Sequence, residues 1–339
     1  MHTLEYSTEK KSTTSIFVSH DKQYFRELAC GRKFVVISSE NILKSYPEIF
    51  QDINLITIDD IESHKNLATI EDIIGKLAGF GVDRSFILIG IGGGIVCDIT
   101  GFVAHIYMRG IRFGLVPTTL LALTDAAIGG KNGVNFGCNK NMIGSFDNPD
   151  FIVADSNFVQ TLSEEQYMSG LGEVIKYALI GNGEILRILT DDKDKVLARD
   201  GATMQKVIGD AIRTKIEIVK QDPDDKGIRQ ILNFGHTIGH SIEITEGIPH
   251  GIAVVKGINA AIDISFKAGI LPEKEAQFIK QLLIDFGYDI SYHLGKKQFE
   301  ALANDKKKEN SHIRFVLLEG IGKPIIKNLT IDEIARLTE

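Results

Sequence analysis

The sequence predicts an α/β fold in which a parallel sheet is followed by a mostly helical half, and three observations carry that prediction. Short β-branched runs alternate with helical segments over roughly the first 155 residues. One of those runs, Ser85–Ile91, leads straight into the glycine triplet of "GIGGGIVCD", Gly90–Asp98. Beyond about Phe158 the pattern becomes helical almost to the end. Strands alternating with helices argue for a parallel, doubly wound sheet.

The elements follow in order. "KFVVISS" (Lys33–Ser39) and "INLITI" (Ile53–Ile58) are continuous apolar runs bounded by polar turns, as strands buried on both faces should be. "NILKSYPEIF" between them suits a short helix, and "NLATIEDIIGKLAGFGV" carries helical spacing to a glycine stop. "RFGLVP" and "FIVAD" add two strands. Five long segments after Phe158 read as helices, and "IRFVLLEG" is the late strand. A boundary is expected near Asp155, giving domains 1–155 and 156–339.

Composition narrows the function classes. The net charge of −7 over 339 residues disfavours nucleic-acid binding through a basic footprint. No run reaches the length of a membrane span, and the N-terminus carries no signal-peptide pattern. Cys30, Cys97 and Cys138 are odd in number and widely spaced, so free thiols in a reducing, cytoplasmic compartment are expected.

Strand–glycines–helix is how backbone N–H groups are aimed at a phosphate, because glycine permits positive φ and removes Cβ. This makes the first half Rossmann-like, although the glycines do not match GxGxxG and no Walker lysine follows them. The alternative is a tight βα turn with close helix packing. Val116–Gly144 reads as a long functional loop, and Lys131 and Lys140, with Arg109 upstream, suggest an anionic substrate. "NFGHTIGHSIE" sets His236 and His240 at i, i+4, with Glu243 three further on, and His250 follows a turn. A histidine pair on one helix face with a third nearby is a zinc-type geometry. Glu173 and Lys176 join them from the polar side of an amphipathic helix, where the alternative is an i, i+3 surface salt pair.

Taken together, "GGGIVCDITGF", "YMRG", "PTTLLALTDAAIGGK", "KNMIGSF", "GEVIK", "RQILNFGHTIGHSIE" and the later "HG" resemble, in order, the motifs of the 3-dehydroquinate synthases. These belong to a wider group of sugar-phosphate cyclases, related to glycerol dehydrogenase and iron-containing alcohol dehydrogenases. The resemblance implies an N-terminal NAD-binding domain and a helical metal- and substrate-binding domain. It implies Glu173, His236 and His250 as ligands of Zn²⁺ (or Co²⁺), with His240 on the substrate side instead. It implies NAD contacts from Gly93, Gly94, Asp98, Thr118, Thr119 and Thr161, and from Asn41, Glu62 and Lys65 at the adenosine end. Arg109, Asp125, Lys140, Asn141 and Lys306 would bind substrate, and Lys131, Lys176, Lys215, Arg229, Asn233 and His240 would serve the chemistry.

The implied reaction converts 3-deoxy-D-arabino-heptulosonate 7-phosphate to 3-dehydroquinate and phosphate by transient oxidation, elimination, reduction and aldol closure. A phosphorylated sugar acid, a homodimer, no nucleic acid and no membrane are the expected partner set. A valiolone- or inosose-type cyclase and a metal-dependent polyol dehydrogenase are the neighbouring readings. Asn139, Ser163, Gly172 and Pro223 depart from the family's pattern.

Overall fold

The computed structural model describes residues 13–18, 21–137, 139–304, 308–309 and 312–338. Cys138 and Lys306 lie outside them. The chain divides into two compact units, Met1–Pro117 with Gly130–Ala154, and Thr118–Gly129 with Asp155–Glu339.

The first unit is built on strands β1 (Ser15–Val18), β2 (Phe34–Ser39), β3 (Asn54–Ile58), β4 (Ile87–Gly92), β5 (Arg112–Pro117) and β8 (Phe151–Ala154). They form one sheet in the order β1-β8-β5-β4-β2-β3, with every pairing parallel. All of β4 is buried, which is why its sequence is continuously apolar rather than alternating. The chain runs outward from β2 to β3, then returns to β4 on the other side of β2. The loop after β4 therefore lies at a topological switch point, where open α/β sheets leave a crevice.

The glycines at this switch point serve close packing. None from Gly90 to Gly94 has positive φ, so it is the absence of Cβ that is used. A Cβ on Gly90 would lie 2.5 Å from Thr100 Oγ1, and one on Gly92 would lie 2.5 Å from Val96 Cγ2. Both neighbours belong to the helix Gly94–Ile106, whose N-cap is Gly93.

Val116–Gly144, expected as a loop, instead contains a π-turn at Ala122–Ala126 and an antiparallel hairpin of β6 (Lys131–Phe136) and β7 (Asn139–Phe146). Glycine and asparagine crowd these strands and weaken their β signal. The glycines are steric requirements. Gly133 faces Gly144, and a Cβ on Gly144 would lie 2.5 Å from the Asn132 carbonyl oxygen.

In the second unit the long segments fold as expected, into helices Glu164–Ile180, Gly201–Gln221, His236–Glu246, His250–Lys267 and Glu273–Asp285. β9 (Lys308–Glu309), β10 (His312–Gly320) and β11 (Lys323–Leu329) form a small antiparallel sheet. Two departures from the family pattern find local reasons. Ser163 closes a capping box with Gln166 at the start of its helix. Gly172 lets that helix meet the helix His250–Lys267, because a Cβ there would lie 2.5 Å from the Gly251 carbonyl oxygen. Gly251 and Gly257 do the same from the facing helix, against Ser169 O at 1.7 Å and Gly235 O at 1.9 Å.

These backbone contacts leave no room for a methyl group. Gly257→Ala should lower the unfolding free energy by about 3 kcal/mol, the upper end for overpacking. Gly75→Ala, in an exposed helix position with nothing within 4 Å of the added carbon, should raise it by about 0.5–1 kcal/mol. Denaturant titration of the two variants beside the parent checks both signs. Equal effects would mean that helix approach does not depend on Gly257.

Candidate active site

In the first unit the expected cofactor residues gather at the carboxyl ends of the strands. Lys65 is buried, and its Nζ donates to Asn141 Oδ1 at 2.6 Å and to Asp98 Oδ2. Asp98 is carried by the first turns of the glycine-loop helix, and Asn141 by β7 in a left-handed conformation, φ 50°. Asn135 Nδ2 donates to Glu62 Oε1 at 2.7 Å, and the Asn135 N–H donates to the Lys65 carbonyl at 2.8 Å. Glu62 and Lys65 are thereby tied to the hairpin. Asn41, just after β2, donates to Asp60 Oδ1 at 3.2 Å.

Arg109 is exposed, in a run of three left-handed residues: Met108 (φ 49°), Arg109 (φ 65°) and Gly110 (φ 112°). Two of these are not glycine, a strain of about 1 kcal/mol or more each that concentrates at functional turns. Arg84 holds the turn by donating to the Met108 carbonyl. Lys131 and Lys140 are exposed on the hairpin.

The second unit holds the other expected residues around a buried carboxylate. Glu173 has 0% exposure and Lys176 has 1%, so this pair is no surface bridge. That alternative fails, and the helix has no polar side here, because Glu164–Ile180 is enclosed along the whole stretch from Ser169 to Ile180. Lys176 Nζ lies 2.5 Å from Glu173 Oε2, while His236 Nε2 and His250 Nε2 lie 3.2 and 3.3 Å from Oε1. None of the three meets it in hydrogen-bonding geometry, and both oxygens are buried without a hydrogen bond among the described residues. Close, poorly aligned donors around one oxygen suit a shared cation better than a proton. Two imidazole nitrogens and a carboxylate are also a donor set of catalytic zinc sites. The residues fit a divalent metal.

His240 joins the cluster. Its ring centroid lies 5.3 Å from that of His236 and 5.6 Å from that of His250, and ligand atoms of the three histidines lie within 4.8 Å of one another. Geometry alone therefore offers four donors.

Charges are strongly coupled here. Burial alone would raise the Glu173 pKa, but the Lys176 ammonium and then His236 outweigh it and hold the carboxyl well below its ordinary range. Burial pulls Lys176 down, yet Glu173 and Asp125 keep it above its usual value. His236 is lowered by burial. Burial also presses on His250, but the adjacent Glu173 and Glu243 carboxylates push it up to about 9.

A second buried cluster adjoins the first. Lys215 Nζ donates to both Asp125 Oδ1 and the Asp125 carbonyl at 2.6 Å, and Tyr177 Oη donates to Asp125 Oδ1 at 2.5 Å. The π-turn presents that carboxylate and that carbonyl to one ammonium. Lys215 is lowered by burial, which Asp125 only partly offsets. Tyr177 was not expected from sequence. Its signal was a phenol inside an otherwise apolar run, which needs a partner when buried.

Arg229, 2% exposed, donates to the carbonyls of Pro223 at 2.9 Å and Gly129 at 3.0 Å. Asp222 caps the loop by accepting from the N–H groups of Lys226, Gly227 and Arg229. Half-buried Asn233 ends the turn that precedes His236. Thr118 Oγ1 is buried without a hydrogen bond among the described residues, and Thr119 Oγ1 accepts from the Ala122 N–H. Thr161 is exposed and donates to the Phe158 carbonyl at 3.3 Å.

Comparison with known proteins decides the family. The model for the 3-dehydroquinate synthase N-terminal region matches residues 55–169, and that for the C-terminal region matches residues 170–308. The chain belongs to the 3-dehydroquinate synthase family. It is 40% identical to the 3-dehydroquinate synthase of Campylobacter concisus (strain 13826) over 81% of this chain and 79% of that protein. It is 34% identical to that of Francisella tularensis subsp. mediasiatica (strain FSC147) over 94% and 93%. Its fold is shared by ValA, the 2-epi-5-epi-valiolone synthase from Streptomyces hygroscopicus subsp. jinggangensis 5008 solved with NAD⁺ and Zn²⁺ bound. That likeness has a TM-score of 0.88 and 24% identity, covering 99% and 98% of the two chains.

The buried pair is open to direct measurement. Lys176→Met should destabilise the metal-free protein by about 3–5 kcal/mol, because it strands the Glu173 charge. Adding Glu173→Gln to that variant should recover part of the loss. A double-mutant cycle on unfolding free energies reads this, and simple additivity would show that the two side chains are not coupled.

Proposed function

We propose that this member of the family converts 3-deoxy-D-arabino-heptulosonate 7-phosphate to 3-dehydroquinate and phosphate in the cytoplasm, as a homodimer. The single observation that carries the reading is the buried convergence of Glu173, His236 and His250 beside two ammonium groups. When bound, NAD⁺ supplies a transient hydride acceptor and Zn²⁺ or Co²⁺ a Lewis acid.

The roles of the chain's own residues are those that the family resemblance implies, and the environments of several of them support it. Residues 1–155 bind the cofactor through Gly93, Gly94 and Asp98, with Asn41, Glu62 and Lys65 at its far end and Thr118 and Thr119 beside them, and Thr161 from the second half completes the set. Glu173, His236 and His250 hold the metal, and residues 156–339 supply most of the remaining machinery. Asp125, oriented by Lys215 and Tyr177, accepts a substrate hydroxyl. Lys176 keeps positive charge beside Glu173 and so favours oxygen anions developing nearby. His240 and Asn233 are assigned to the reacting part of the substrate. Arg109, Lys131, Lys140, Asn141, Lys215, Arg229 and Lys306 balance the phosphate and carboxylate. Arg229 offers a rigid planar fork for this, held by its carbonyl contacts.

The deciding assay measures dehydroquinate and phosphate together. Both should form in equal amounts, with NAD⁺ required but no NADH accumulating. Chelation should abolish turnover, and Zn²⁺ or Co²⁺ should restore it. NADH formed in step with product from an unphosphorylated polyol would establish a dehydrogenase instead. Arg229→Lys retains the charge but loses the fork. It should reduce kcat/KM on the phosphorylated substrate by roughly 10- to 100-fold, the range for losing one hydrogen bond to a charged group. Unchanged kcat/KM would remove Arg229 from the anion site.

A further inference from the structure

We infer that Glu243 is a positioning residue that sets the tautomer and ring orientation of His250, so that this ring presents a bare nitrogen to the cation. The inference rests on the metal reading above and adds a residue to it. His236, His240 and Glu243 lie at i, i+4 and i+7 along one stripe of the helix His236–Glu246. The chain then turns at Gly247, φ 68°, and His250 opens the next helix. The turn folds the imidazole back onto the stripe, where its Nδ1 lies 2.9 Å from Glu243 Oε2.

An ionised carboxylate only accepts hydrogen bonds, so Nδ1 must carry the proton. The neutral ring then has its lone pair on Nε2, the atom 3.3 Å from Glu173 Oε1. His236 reaches the same state by a different route. Its Nδ1 lies 3.1 Å from the Phe234 carbonyl, which also only accepts, and its Nε2 lies 3.2 Å from the same Glu173 oxygen. One ring is thus oriented by backbone and the other by a side chain.

The difference matters because the rings are unequally confined. The His236 side chain is 10% exposed and that of His250 is 28% exposed. Packing holds the first, whereas the second relies more on its hydrogen bond. Carboxylates behind metal-binding histidines orient the ring and raise its basicity, and their loss weakens metal affinity by about 10- to 100-fold.

The test is Zn²⁺ affinity of the full chain, by competition with a chromophoric chelator, alongside the absorption spectrum of the Co²⁺ form. Glu243→Ala should bind Zn²⁺ about 10- to 100-fold more weakly and change the Co²⁺ spectrum. Glu243→Gln, whose amide oxygen can still accept the Nδ1–H bond, should lie nearer the parent than the alanine variant, and it guards against simple misfolding. Glu243→Ala with parental affinity would overturn the inference, as would a glutamine variant as weak as the alanine one. His236→Ala serves as the control. If it too binds Zn²⁺ as tightly as the parent, the metal reading itself fails, and a failure confined to Glu243 remains distinguishable.

Discussion

A carboxylate shut away from water must have positive charge brought to it, and the second unit is arranged around this demand at Glu173. Lys176 answers from the next turn of the same helix, and His236 and His250 answer from the starts of two others. Those helices come near enough only because glycines line their crossings, at Gly172 with Gly251, at Gly239 with the backbone of Ala253 and Val254, and at Gly257 with the backbone of Gly235. Packing and electrostatics are therefore one problem here. The small residues bring the charges into register, and the charges make so tight a buried site tolerable.

The first unit meets a different constraint, that of letting its backbone come close to other groups. Gly90 and Gly92 let the glycine-loop helix sit directly against β4, and Gly133 and Gly144 let the hairpin strands close. Lys65 then joins the helix to the hairpin through Asp98 and Asn141. One ammonium thereby fixes three segments of chain that are distant in sequence.

The sequence was most legible where burial is uniform. The strands β2, β3, β4, β5 and β10 and the five long helices appeared within a residue or three of their expected limits, because continuous β-branched runs and helical periodicity survive in any tertiary setting. β1 was missed because four residues carry little pattern. The hairpin was missed because its strands are chosen for small size and polar contacts rather than β propensity. At the site, the spacing of His236, His240 and Glu243 was readable as one helix face. Glu173 was not, since an i, i+3 pair looks the same on an exposed helix and on a buried one. Family resemblance singled it out, and burial supplies the reason. The glycines of the β4 loop were readable as important, for positive φ or for the missing Cβ, and the structure uses the second, as the close-packing alternative had it.

The way the chain is shared between the units has a consequence for dissecting it. The polypeptide passes from one unit to the other after Pro117, after Gly129 and after Ala154. The middle excursion carries Asp125, the partner of Lys215 and Tyr177, and the Gly129 carbonyl that receives Arg229. A gene fragment opening at 155 would encode every long helix of the second unit and still leave a buried lysine and a buried phenol without the Asp125 acceptor and a buried arginine without one of its two carbonyls. The halves are not modules that recombination could exchange at one seam, and any fusion or split of this chain must carry the twelve-residue loan from 118 to 129 with its C-terminal owner.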